Sequence, residues 1–170
     1  FMFKKNFFVP LTIHIELKKV SKFFKNKQLI IDKVKSFNKT LQNDFGIPKP
    51  KIAIAGINPH AGERGLISKE DKKYLNPILT KLKKDKINIT GPISGDGLIN
   101  KNNLNRYDAF LFTYHDQALI PFKILSNYEG INFTSNLDII RISPSHGTAR
   151  DLIDKNYAES KGILNCFKAI

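Results

Sequence analysis

The chain has 170 residues, 41% hydrophobic and 25% charged, enough for one globular unit with a real core and too little for two full-sized domains. Its 28 Lys and Arg against 15 Asp and Glu give a net charge of +13, which suggests an anionic partner, although Lys and Asn are abundant everywhere along the chain. One cysteine, Cys166, excludes an internal disulfide and a cysteine-based zinc site, and no run approaches the roughly 18 apolar residues a membrane span needs.

The opening "FMFKKNFFVPLTIHIEL" places two lysines before an apolar run, as a signal peptide does. Pro10, His14 and the lack of a small-residue cleavage site argue against one, so a cytoplasmic setting is expected. A first residue of Phe rather than Met points to a piece of something longer. "FFVPLTI" reads as a buried strand ending at His14, and "ELKKVSKFF" as a helix. A second amphipathic helix carries Leu29, Ile30, Val34, Phe37, Leu41 and Phe45, with Gly46 where its C-terminal cap is expected and Pro48 just beyond.

"KIAIAGI" is apolar on both faces, as buried parallel strands are. Ser68 with Asp71 forms a capping-box pattern that opens a helix, and Pro77 inside it predicts a kink or a late start. "INIT" is a strand, "GPISGDG" a Gly-rich loop, and "DAFLFTY" a buried strand ending at His115. "GINFT" and "DIIRIS" are further short strands, "SPSHGTA" is a loop, and "ARDLIDKNYA" begins a helical end. The order predicts an α/β fold with a mostly parallel sheet flanked by helices.

In such sheets ligands gather outside the carboxyl ends of the strands. His14, His60 and His115 each follow an apolar strand-like run, so all three can share one sheet edge. Neutral imidazole is the commonest metal ligand, and three with an open position make a catalytic site; unrelated loop histidines are the plainer alternative. Lys123, Asn132 and Arg141, spaced nine apart in a mostly apolar region, can together hold a phosphate, or be ordinary strand-end residues of a basic protein. Asp96 and Asp116 are the nearest carboxylates, able to orient a histidine or handle a proton, and Asp96 is equally a turn residue of "SGDGL". No GxGxxG or Walker pattern is present.

Taken together, "GINPHAGERG", "GPISGDGL", "YHDQALIPFK", "GINFT" and "SPSHGTARDL" resemble the 4-hydroxythreonine-4-phosphate dehydrogenase family of vitamin B6 biosynthesis, from about Val9 to the end. The resemblance implies an isocitrate/isopropylmalate dehydrogenase-like fold and a homodimer whose metal site is shared between subunits. By motif, His14, His60 and His115 would hold a divalent metal (Zn, Mg or Co). Lys123, Asn132 and Arg141 would contact a phosphorylated small-molecule substrate, and Asp96 matches an active-site aspartate. His146, Gly147, Thr148 and Ala149 would form the loop for NAD or NADP. The implied reaction is oxidation and decarboxylation of 4-phosphooxy-L-threonine to 3-amino-2-oxopropyl phosphate.

The family's chains are roughly twice this length, so residues 1–170 are expected to form a single partial unit, the C-terminal half of a two-lobe dehydrogenase, inactive alone. Ser145 also stands where the family often has an acidic residue. The competing functions are a paralogous dehydrogenase of threonate or erythronate 4-phosphate and an inactive remnant. A basic nucleic-acid binder is disfavoured, because no RNP, KH or zinc-finger pattern appears and the aromatics fall on apolar core periods.

Overall fold

The computed structural model describes residues 1–147, 150–153, 155, 157 and 159–169. Strands β1 (Met2–Phe3) and β2 (Asn6–Pro10) precede helices α1 (Val20–Phe23) and α2 (Lys27–Asn43). Strand β3 (Ile52–Ala55) leads to α3 (Asn76–Lys84), and β4 (Ile89–Ile93) to α4 (Gly95–Leu98) and α5 (Lys101–Arg106). Strand β5 (Ala109–Phe112) runs into α6 (His115–Ser126); β6 (Ile131–Thr134), β7 (Arg141–Pro144) and α7 (Lys161–Lys168) complete the chain.

The seven strands form one sheet in the order β4-β3-β5-β2-β1-β6-β7. The first four are parallel, and β1, β6 and β7 extend them antiparallel. The expected α/β architecture is therefore present, with a parallel block carried onward by an antiparallel ribbon.

Alternation along the strands divides the core in two. Phe7, Ile52, Ile54, Ala109 and Leu111 face one side, where α2 supplies Ile30, Val34 and Leu41 and α3 supplies Ile78 and Leu82. Phe8, Ala53, Ala55, Phe110 and Phe112 face the other, covered by Leu98 of α4 and by Ala118 and Phe122 of α6. Helix α2 starts where the Asn26 side chain accepts from the Leu29 amide, and Gly46 takes the left-handed φ of +63° expected of a helix exit.

Several expectations are corrected. The strand expected to reach His14 ends at Pro10, and His14 follows in the loop. Helix α6 was not legible, because Pro121 lies inside it and Ile120 and Ile124 remain 61% and 75% exposed, which blurs any one-sided apolar stripe. Helices α5 and α7 and strand β1 were likewise unforeseen, and the "GPISGDG" loop closes into the end of β4 and α4. Ser68 and Asp71 do not form a capping box: the Ser68 hydroxyl accepts from the Glu70 amide, and Asp71 turns inward. A π-helical turn, Asp71–Leu75, runs directly into α3, and Pro77 is the second residue of α3. Of the expected "ARDLIDKNYA" helix, Arg150–Leu152 form a single 3-10 turn, and residues 154, 156 and 158 lie outside the described residues.

Candidate functional site

The parallel strands β2, β3, β4 and β5 all end on one edge, and each hands a candidate residue to it: His14, His60, Asp96 and His115 in turn. Strands β2 and β5 are direct neighbours, with Pro10 opposite Phe112. Pairing continues past the strands, where the Leu11 amide donates to the Phe112 carbonyl at 2.8 Å and the Thr12 hydroxyl to the Thr113 carbonyl at 2.7 Å. Lys33 of α2 donates to the Leu11 carbonyl at 3.1 Å, and burial holds its ammonium below the ordinary lysine range. The outcome is a His14–His115 pair with ring centroids 5.6 Å apart.

That spacing fits one ion between two imidazoles. Imidazole nitrogens hold a divalent ion at about 2.0–2.1 Å, and two rings at this separation are near enough to share one. The His115 Nδ1 meets Asp116 Oδ1 at 2.7 Å, the outer-shell carboxylate contact that orients a ligand histidine and leaves Nε2 to face a metal. Among the described residues no group of three or more His, Cys, Asp or Glu is close enough to hold a metal, so the pair has no third side-chain ligand among them.

His60 lies elsewhere on the same edge. It lines a cavity of about 690 Å³ together with Asn58, Asp96, Asp116, Gln117, Ile120 and Ile124. His14 and His115 line a separate cavity of about 330 Å³, and Asp116 borders both. Residues His60–Arg64 all have left-handed φ, between 44° and 75°, a conformation costly for any residue with a Cβ. Asp71, 1% exposed, holds this turn: its carboxylate accepts from the Ile57 amide at 2.7 Å, the Asn58 amide at 3.2 Å and the Asn58 side chain at 3.1 Å. Gly62 is required there, since a Cβ would lie 2.4 Å from the Ser68 carbonyl oxygen.

Asp96 lies in the first turn of α4 and is exposed. Its Oδ1 accepts from the Ser94 hydroxyl and, at 3.0 Å, from the Gly97 amide. The Ser94 bond first, then the backbone N–H groups and the nearby His60, hold its carboxyl below the ordinary range, so it is ionised at neutral pH.

The anion candidates are only partly brought together. The β6–β7 register sets Asn132 opposite Ser143 and Thr134 opposite Arg141, so these four share one face of the ribbon. Arg141 donates to the Thr134 hydroxyl at 2.9 Å. Asn132 and Thr134 line a cavity of about 460 Å³ that His14 and His115 also border. Lys123 stands apart: its ammonium donates to the Ser145 carbonyl at 2.5 Å, beyond the far end of β7 from Arg141. His146 Nδ1 lies 3.0 Å from the Gly147 carbonyl, and a Cβ on Gly147 would meet no atom of the described residues within 4 Å. Thr148 and Ala149 lie outside the described residues.

Sequence reasoning gave no part in the site to Asp71, Thr134 or Gln117. For Asp71 the local Ser-x-x-Asp pattern points to a helix cap, and only burial reveals its use. No described helix is long and apolar enough to cross a membrane.

Known proteins resemble nearly the whole chain. A 4-hydroxythreonine-4-phosphate dehydrogenase of Paracoccus denitrificans is 37% identical over 156 residues, covering 92% of this chain and 48% of that protein. One of Sulfurihydrogenibium sp. is 42% identical over 163 residues, covering 96% and 50%. The crystal structure of a 4-hydroxythreonine-4-phosphate dehydrogenase from Burkholderia phymatum superposes with a TM-score of 0.77 at 33% identity, over 93% of this chain and 48% of that one. The chain thus spans about half the length of the curated relatives it matches. The family model described as pyridoxal phosphate biosynthetic protein PdxA matches residues 1–170, and the chain belongs to that family.

Proposed function

We propose that residues 1–170 carry the metal- and phosphate-binding half of an NAD(P)-dependent 4-hydroxythreonine-4-phosphate dehydrogenase acting in vitamin B6 biosynthesis in the cytoplasm. The observation that carries this reading is the shared cavity: the His14–His115 pair and the Asn132–Thr134 edge border the same space, so a metal-seeking and an anion-seeking set sit side by side.

A bound divalent ion would supply Lewis-acid polarisation of the substrate's hydroxyl and later carbonyl oxygen, and a bound nicotinamide would accept the hydride. His14 and His115 would hold the ion, with Asp116 fixing the His115 ring. A third ligand, His60, would come from a second copy in a homodimer, a reading favoured by its place in a different cavity from the pair. Arg141 and Asn132 would anchor the phosphate, and Lys123 would join them by leaving Ser145. Asp96 lines the His60 cavity, so it would accompany His60 from the second copy and, held ionised by Ser94, accept the hydroxyl proton as hydride leaves. The resulting β-keto acid loses CO2, and the carbon left behind takes a proton. The backbone at Gly147, beside His146, is the place for the dinucleotide.

The test is metal content per chain in the purified protein beside His14→Ala, His60→Ala and His115→Ala variants, followed by nicotinamide reduction with 4-phosphooxy-L-threonine and with threonate 4-phosphate. Metal present in the parent and lost in each variant supports the site. Equal metal in all four proteins sinks it, and preference for threonate 4-phosphate moves the substrate to the paralogous activity.

A further inference from the structure

We propose that Gln117 is a positioning residue that locks the loops carrying His60, Asp96 and His115 into one rigid edge, an inference that rests on assigning those residues to the site. Gln117 lies in the first turn of α6, two residues after His115. Its Oε1 accepts from the Thr113 amide at 2.8 Å and from the Thr113 hydroxyl at 2.9 Å. Its Nε2 donates to the Gly56 carbonyl at 3.0 Å, across 61 residues of sequence. A backbone N–H can only donate and a carbonyl can only accept, so these partners dictate the orientation of the carboxamide. Gly95, the first residue of α4, lies against the same group: a Cβ there would stand 2.8 Å from Nε2.

One side chain therefore touches the end of β5, the end of β3 and the start of α4. His115 is two residues from the first contact, His60 four residues from the second, and Asp96 one residue from the third. A plain helix cap would engage only Thr113 and its own turn. The Gly56 bond and the Gly95 contact have no part in capping, and they are what join the histidine loops.

Gln117→Glu separates the two tasks, because it keeps an acceptor for Thr113 and sets an oxygen against the Gly56 carbonyl. Gln117→Ala removes both. Amide hydrogen exchange on the 170-residue chain reads the result at Thr113, Ile57 and Ala61. In Gln117→Glu the Thr113 amide is expected to stay within about twofold of the parent while Ile57 and Ala61 exchange roughly tenfold faster; in Gln117→Ala all three accelerate. Unchanged Ile57 and Ala61 in both variants, or equal acceleration of core amides such as Ile54 and Phe110, overturns the lock. Cobalt(II) binding to the same proteins supplies the second readout, with weaker uptake expected in Gln117→Glu. Equal uptake by parent and variant overturns the positioning role. A parent that takes up no cobalt refutes the histidine assignment alone, while the exchange rates still decide whether Gln117 ties the loops.

Discussion

His14 and His115 meet at 5.6 Å because β2 and β5 are adjacent parallel strands whose pairing persists to Thr12 and Thr113. The orientation of the second ring depends on Asp116, 2.7 Å from its Nδ1. Asp116→Asn keeps the shape but loses the charge that makes the imidazole a better donor to metal. A loss of about 10–100-fold in zinc or cobalt affinity is expected, measured by competition with a chelator of known strength. Unchanged affinity would show that the ring is held without Asp116.

Asp71 is the buried carboxylate under the His60 turn. Asp71→Ala strands the Ile57 and Asn58 amides without their acceptor and leaves the Asn58 side chain only Glu70. The expected cost is about 2–4 kcal/mol, read from urea unfolding. Gly62→Ala strikes the same turn from the other side, through a contact with the Ser68 carbonyl and a φ of +75°. The double variant should destabilise less than the sum, since both act on one turn. Full additivity would mean that Asp71 serves something other than this turn.

His60 and His115 were legible because the apolar runs before them are short, bounded and buried on both faces, and His14 because an apolar run also precedes it. That logic places them on one edge but not in one cavity. Strand β5 lies between β3 and β2, and the left-handed turn at residues 60–64 sends His60 to the far side of the Tyr114–Asp116 segment. No period in the sequence encodes that turn, which exists through a tertiary bond to Asp71. The nine-residue spacing of Lys123, Asn132 and Arg141 suggested one anion site. Two of them share a face through the β6–β7 register, whereas Lys123 rides on α6, the helix Pro121 concealed.

Asp96 offers a pH test with a definite sign. Its folded carboxyl lies below the ordinary range, chiefly through the Ser94 hydroxyl. Its contribution to stability is therefore present above the unfolded value, about 3.9, and fades as pH falls through the lower folded value. Ser94→Ala should raise the Asp96 carboxyl toward the ordinary value, followed by its carbon chemical shift across an acid titration. Because Asp96 is exposed, the melting temperature should barely move. An unchanged titration would assign the depression to the α4 backbone instead.

The ribbon face makes a last prediction about which cations hold phosphate. Arg141 stands on the same face as Asn132, with Thr134 steadying its guanidinium, whereas the Lys123 ammonium is already engaged by Ser145. Arg141→Ala should weaken binding of a phosphorylated ligand by at least about tenfold, and Arg141→Lys should recover little, because a point charge cannot replace the planar fork. Lys123→Met should cost less, since its contact with Ser145 must break before it can reach a phosphate. Thr134→Val should fall between them by loosening the arginine. Calorimetric titration with a phosphorylated hydroxy acid distinguishes the three. A larger loss at Lys123 than at Arg141 would move the phosphate to the α6 side of the ribbon, beside Ser145.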